Sequence, residues 1–120
     1  MKMTTSTRQV GSVTIVDISG RIELGAESAA MRDMVRDLLS KGNKQILLNL
    51  ADVHYIDSSG LGMLVANFAT VTSQGGQLKL VNVTNRVKDL LLITKLYTVF
   101  EVHDDEKAAI RSFLDIPATA

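Results

Sequence analysis

"HYIDSSGLGML" occupies His54–Leu64. An aspartate, two serines and two glycines form a small polar cluster, with a hydrophobic stretch on each side. Upstream, "QILLNL" (Gln45–Leu50) is a nearly continuous apolar run, as expected of a strand covered on both faces. Downstream, Leu61, Leu64, Val65, Phe68 and Val71 or Thr72 recur at helical spacing, and Gly75-Gly76 closes that segment. The cluster therefore stands at a strand-to-helix junction, with the helix N-terminus at the carboxyl end of the strand. In open α/β sheets that edge is where ligands gather.

The same alternation extends outward. "MTTSTRQ" (Met3–Gln9) and "VTIVDIS" (Val13–Ser19) read as two strands joined by a tight hairpin turn at Gly11-Ser12, with Gly20 ending the second. From Ala26 to Lys41 the period becomes helical, with Met31, Met34, Val35 and Leu38 on one face and Gly42-Asn43 as the stop. Past the central helix, "QLKLV" (Gln77–Val81) reads as a strand, and Thr84 caps a helix running to about Thr94. "VFEV" (Val99–Val102) reads as a short strand, and Asp104 caps a last helix using Ala109, Ile110, Phe113 and Leu114. Alternating strands and helices require right-handed crossovers and largely parallel strands. The expected fold is α/β: a mostly parallel mixed sheet, opened by an antiparallel β-hairpin, with about four helices.

The chain has 120 residues, enough for one domain over 1–120 with a short frayed tail from about residue 116, where Pro117 lies. Hydrophobic residues make up 46%, which supplies one compact core. Thirteen basic and thirteen acidic residues cancel, which argues against broad binding to nucleic acid or to an anionic membrane. The absence of cysteine excludes disulfides and thiol chemistry. The N-terminus has no signal-like apolar core, and the strongest apolar run is Leu90–Ile93, far short of a membrane span. A cytoplasmic protein is expected.

Composition alone reads the cluster as a helix cap, because an Asp or Ser oxygen satisfies otherwise unpaired amides. Three features pull against a cap alone. One cap needs one oxygen-bearing residue, yet Asp57, Ser58 and Ser59 stand in a row. Gly60 and Gly62 lower helix propensity, so a close approach or open space is expected there. A helix N-terminus also presents free amides and partial positive charge, which favour an attached or bound phosphate. Catalytic readings fail on inventory. His54 and His103 are the only histidines, and residue 57 is Asp where a G-x-S-x-G elbow on Ser59 needs Gly. There is no G-x-x-x-x-G-K-S/T loop. His54 and Asp57 are too few ligands to specify a metal, and Met31 and Met34 fit a core stripe.

"DSSGLG" (Asp57–Gly62), preceded by "ILLNLADV", resembles the phosphorylation-site motif of bacterial anti-sigma-factor antagonists, the STAS domain family. "SGRIEL" resembles that family's loop before the first helix, with Glu23 where many members carry Asp. "GGQLKLVNV" resembles its Gly-Gly turn and following strand, and Val87, Leu90 and Leu91 fit the start of its third helix. The resemblance covers essentially the whole chain and implies a switch rather than an enzyme. The unphosphorylated form would bind an anti-sigma factor that is also a serine kinase of histidine-kinase-like ATPase fold, freeing the sigma factor. Phosphorylation at Ser58 would end binding, and a serine phosphatase would restore it. ATP and magnesium would belong to the kinase, so no cofactor is expected on this chain. Asp57, Ser59, Gly60, Leu61, Gly62 and Glu23 would form the partner-facing motif, with acidic Asp52 near the phosphate. The alternative is a STAS subunit docking on a membrane transporter or lipid-transport complex, with Ser58 only a cap. Leu92 and Ile93 could supply its apolar patch, but the expectation is that they simply pack against the last helix. Nucleotide binding at the Asp57–Gly62 turn is a further alternative, which lacks a motif lysine.

Overall fold

A computed structural model describes residues 3–23 and 25–114. The chain order is β1 (Thr4–Val10), β2 (Val13–Ile22), α1 (Ala26–Ser40), β3 (Gln45–Ile56) and α2 (Ser58–Ser73). It continues with β4 (Gln77–Val81), α3 (Asn85–Thr94), a 3-10 turn (Leu96–Thr98), β5 (Val102–His103) and α4 (Glu106–Leu114). The five strands lie side by side in sequence order; β1 is antiparallel to β2 and every other pair is parallel. Because the strand order advances in one direction, right-handed crossovers put α1, α2 and α3 on one face. There Met31, Val35, Leu61, Leu64, Val71, Val87 and Leu91 pack on Val16, Ile18, Leu48 and Leu50. α4 follows the last strand and covers the other face, where Ala109 and Phe113 meet Val13, Ile15, Leu47 and Val81. The side chain of Leu114 and the tail from residue 116 lie outside the described residues.

Several expected boundaries shift, each for a local reason. β3 does not stop at Leu50. Its second half pairs with β2 alone and intersperses buried Val53 and Ile56 with exposed Asp52 and His54, so the apolar run ends before the strand does. β2 runs through Gly20 to Ile22 by register shifts at Asp17/Ser19 and Gly20/Arg21, with Gly20 at a φ of 97° that a side chain would oppose. The strand expected at Val99–Val102 is displaced to Val102–His103. Phe100 is instead buried edge-on against Phe68, with ring centroids 5.4 Å apart. The cap of α4 is Asp105, whose carboxylate accepts from the Ala108 amide at 2.9 Å, not Asp104. Thr84 occupies the α3 cap position, yet its hydroxyl donates to the Val53 carbonyl at 3.3 Å and ties α3 to β3.

The edge strand is held by a charge network. Arg8 bonds both carboxylate oxygens of Asp17, at 2.6 and 2.9 Å, and reaches Glu106 on α4 at 2.7 Å. The Arg8 hydrogen bonds hold the Asp17 carboxyl below the usual aspartate range; burial opposes this, and an Asn49 hydrogen bond adds to it. A carboxyl whose pKa is lower in the folded state stabilises fully above its unfolded value, about 3.9, and loses that contribution as pH falls through the folded value. Asp17→Asn is expected to cost about 0.5–1 kcal/mol at neutral pH, since these groups are partly exposed. The gap to the parent should close below about pH 4. Melting curves across pH 2.5–7 check this, and a gap constant over the whole range contradicts it.

Candidate phosphoacceptor edge

The end of β3 delivers Asp57 in an extended conformation (φ −114°, ψ −177°) as the N-cap of α2. Its Oδ1 accepts from the Gly60 amide at 2.8 Å, and its carbonyl accepts from the Leu61 amide at 2.9 Å. The amides of Ser58 and Ser59 are left without an intrahelical acceptor. Both serines are exposed, whereas Gly60 and Leu61 are buried. A Cβ on Gly60 would stand 1.9 Å from the Ile22 carbonyl oxygen, so this glycine lets α2 begin directly against β2. Gly62 differs from expectation. A Cβ there would meet nothing within 4 Å, so it leaves open space and permits no close approach. The motif thus divides by direction: Asp57 caps, Gly60 and Leu61 seat the helix, and Ser58, Ser59 and Gly62 face outward.

Glu23 follows β2 at the same sheet edge and pairs with Arg21 at 3.3 Å. Sequence reasoning missed what Arg21 does next. Its guanidinium lies 3.9 Å from the Tyr55 ring centroid, and Arg86 of α3 lies 5.1 Å from the same ring. Arg86 also donates to the Ile56 carbonyl at 3.4 Å. Three elements therefore converge at Tyr55, two residues before Asp57, through cation–π contacts. No local signal marks this stack, because its members are distant in sequence.

Two expected neighbours are elsewhere. Asp52 pairs with Ser19 whereas Ile56 pairs with Ile22, which sets Asp52 about 13 Å back along the strand at the usual rise per residue. It is not beside Ser58. His103 bonds Glu101 at 2.6 Å on β5, and His54 is exposed on β3. Burial raises the Glu101 pKa, but hydrogen bonds from His103 and Lys79 outweigh it and hold the carboxyl low. Among the described residues, neither histidine bonds to Ser58 or Ser59, and no group of three or more His, Asp or Glu side chains is arranged to hold a metal. Leu92 and Ile93 do not pack against the last helix: they are 55% and 77% exposed, with Tyr97 at 53%. Val87 and Leu91 turn α3 toward the core face opposite α4, which leaves that side of α3 uncovered by the described residues. No helix among the described residues is long and apolar enough to cross a membrane.

The strand order has no reversal, so the sheet lacks the switch-point crevice in which doubly wound folds enclose ligands. The two serines are displayed rather than enclosed. Residues 4–109 match the family described as STAS domain. The chain is 32% identical over 96 residues to the anti-sigma-B factor antagonist of Bacillus subtilis (strain 168), covering 80% of this chain and 86% of that protein. It is 26% identical over 98 residues to the anti-sigma F factor antagonist of Paenibacillus polymyxa, covering 82% and 84%. The crystal structure of an anti-sigma factor antagonist from Mycobacterium paratuberculosis superposes with a TM-score of 0.82 over 95% of this chain and 96% of that one. At 18% identity, that likeness is one of fold.

Proposed function

The chain belongs to the STAS domain family, and on that premise we propose that it is a cytoplasmic anti-sigma-factor antagonist switched by phosphorylation at Ser58. Unphosphorylated, it binds an anti-sigma factor that is also a serine kinase of histidine-kinase-like ATPase fold, and so frees the sigma factor. The kinase moves the γ-phosphoryl group of its ATP onto Ser58 Oγ, the hydroxyl proton passes to a base of the kinase, and ADP leaves. A serine phosphatase hydrolyses the ester. The chain is substrate and ligand in this cycle, supplying no cofactor and no catalytic base.

One observation carries the reading. Ser58 is the exposed first residue of an Asp57-capped helix, at the edge of a sheet without a crevice. A phosphate there adds about −1.5 to −2 charges where free amides and the helix dipole stabilise anions. Asp57 orients the turn, Glu23 adds acidity to the partner-facing edge, and Gly60 and Leu61 hold the serine in place. Ser59 lines a groove between α1 and α2, whereas Ser58 directly follows the cap. Phosphopeptide mapping after incubation with kinase and ATP is expected to find phosphate on Ser58. Modification confined to Ser59 would reassign the acceptor.

The exposed Leu92, Ile93 and Tyr97 favour a second reading, a docking module for a membrane transporter or lipid-transport complex. In that case binding tracks the α3 patch and ignores the charge at residue 58.

A further inference from the structure

A groove of about 420 Å³ runs between α1 and α2. Ser28, Arg32 and Arg36 recur every four residues along one wall, and Ser59, Met63 and Asn67 do so along the other. Residues four apart share a helix face, so two continuous stripes confront each other. Both helices follow parallel strands and begin at the same sheet edge; Ser28 and Ser59 therefore mark one end and Arg36 the other. The eight-residue step from Ser28 to Arg36 is about 12 Å at the helical rise. Ala29, Gly62 and Ala66 keep the floor open, and space beside Gly62 is empty to 4 Å around an added Cβ.

The polar groups point to a ligand. Asn67 is only 3% exposed in the middle of a helix, where its carboxamide has no part in the fold's ladders. Its Nδ2 donates to the Met63 carbonyl at 3.0 Å. Among the described residues Oδ1 accepts no hydrogen bond, yet no buried polar side-chain atom lacks a partner, so this oxygen opens onto the groove. Arg32 makes only a long, exposed contact with Asp33 at 3.4 Å, and Arg36 has no acidic partner among the described residues. Two under-used guanidiniums, an open carboxamide and an apolar floor with Met63 lie in one space whose volume falls in the range of small-molecule sites.

We propose that this groove binds a small organic anion that carries an amide and a short apolar group. The anionic group pairs with Arg32 and Arg36. The amide N–H donates to Asn67 Oδ1, and the apolar group lies on Met63 and Ala66.

N-acetyl-leucine has this chemistry, and N-acetyl-leucine amide is its uncharged control; acetate has the charge without the body. Amide-resolved NMR titration of the full chain is expected to show saturable shifts at Arg32, Arg36 and Gly62 and in the Asn67 side chain. The uncharged control and acetate should each bind at least tenfold more weakly. Arg36→Gln, on an exposed side chain, should leave the melting temperature unchanged and weaken N-acetyl-leucine at least fivefold. Failure to saturate, equal binding of the uncharged control, shifts centred outside the groove, or an Arg36→Gln variant that binds like the parent would each overturn the proposal.

Discussion

Gly60→Val is expected to lower the melting temperature by about 10 °C or more, and it is the most damaging single substitution expected in the motif. The added Cβ would stand 1.9 Å from the Ile22 carbonyl oxygen and 2.6 Å from its carbon, which are backbone atoms of a strand residue paired with Ile56 of β3. No side-chain rotation relieves that contact, so the first turn of α2 must lift from β2. Overpacking of this type costs about 1–3 kcal/mol and more where backbone blocks relaxation, and about 3 kcal/mol corresponds to roughly 10 °C in a domain of this size. Gly62→Ala, in the same turn, should do the opposite. Nothing stands within 4 Å of its new Cβ, and replacing glycine within a helix gains up to about 1 kcal/mol. Ser59→Ala should be close to neutral because that hydroxyl caps nothing. Thermal unfolding of the three variants checks the order. Parent-like melting of Gly60→Val would mean that the α2–β2 approach is looser than the structure has it.

Ser58→Asp is expected to weaken binding to the anti-sigma partner about a hundredfold or more, whereas Ser58→Ala binds like the parent and cannot be switched off. Neither change should unfold the domain. Ser58 is exposed and the cap belongs to Asp57, while the helix N-terminus tolerates a negative charge. The effect lies at the interface, where an added anion beside Asp57 loses its hydration against the partner. Adverse charge there costs several kcal/mol, and each 1.4 kcal/mol is about tenfold in affinity. Aspartate carries less charge than phosphate, so authentic phosphoserine should weaken binding further. Calorimetric titration of each variant, with melting curves as the folding control, makes the comparison. If Ser58→Asp and phospho-Ser58 protein both bind as tightly as the parent, the electrostatic switch is wrong and docking through Leu92, Ile93 and Tyr97 takes its place.

Elements whose causes are local were legible in the sequence. The apolar run at Gln45–Leu50, the helical period after Leu61 and the hairpin glycine each act within a few residues. Together with right-handed crossovers they leave little choice but an α/β domain with a mostly parallel sheet. The cap was legible for the same reason: Asp57 bonds an amide three residues away. Which segments meet depends on the packed fold. Gly60 and Gly62 are equivalent as text, yet one faces the Ile22 carbonyl and the other faces open space, because β2 continues past Gly20 to reach one side of the helix. Leu92 and Ile93 carry the same apolar signal as Leu91, but α3 rests on the face opposite α4, so none of the described residues covers them. The Arg21–Tyr55–Arg86 stack and the groove between α1 and α2 join residues from distant parts of the chain. Their partners are set by strand register and helix placement, which hydrogen bonding and packing across the whole sheet fix and no short window of sequence contains.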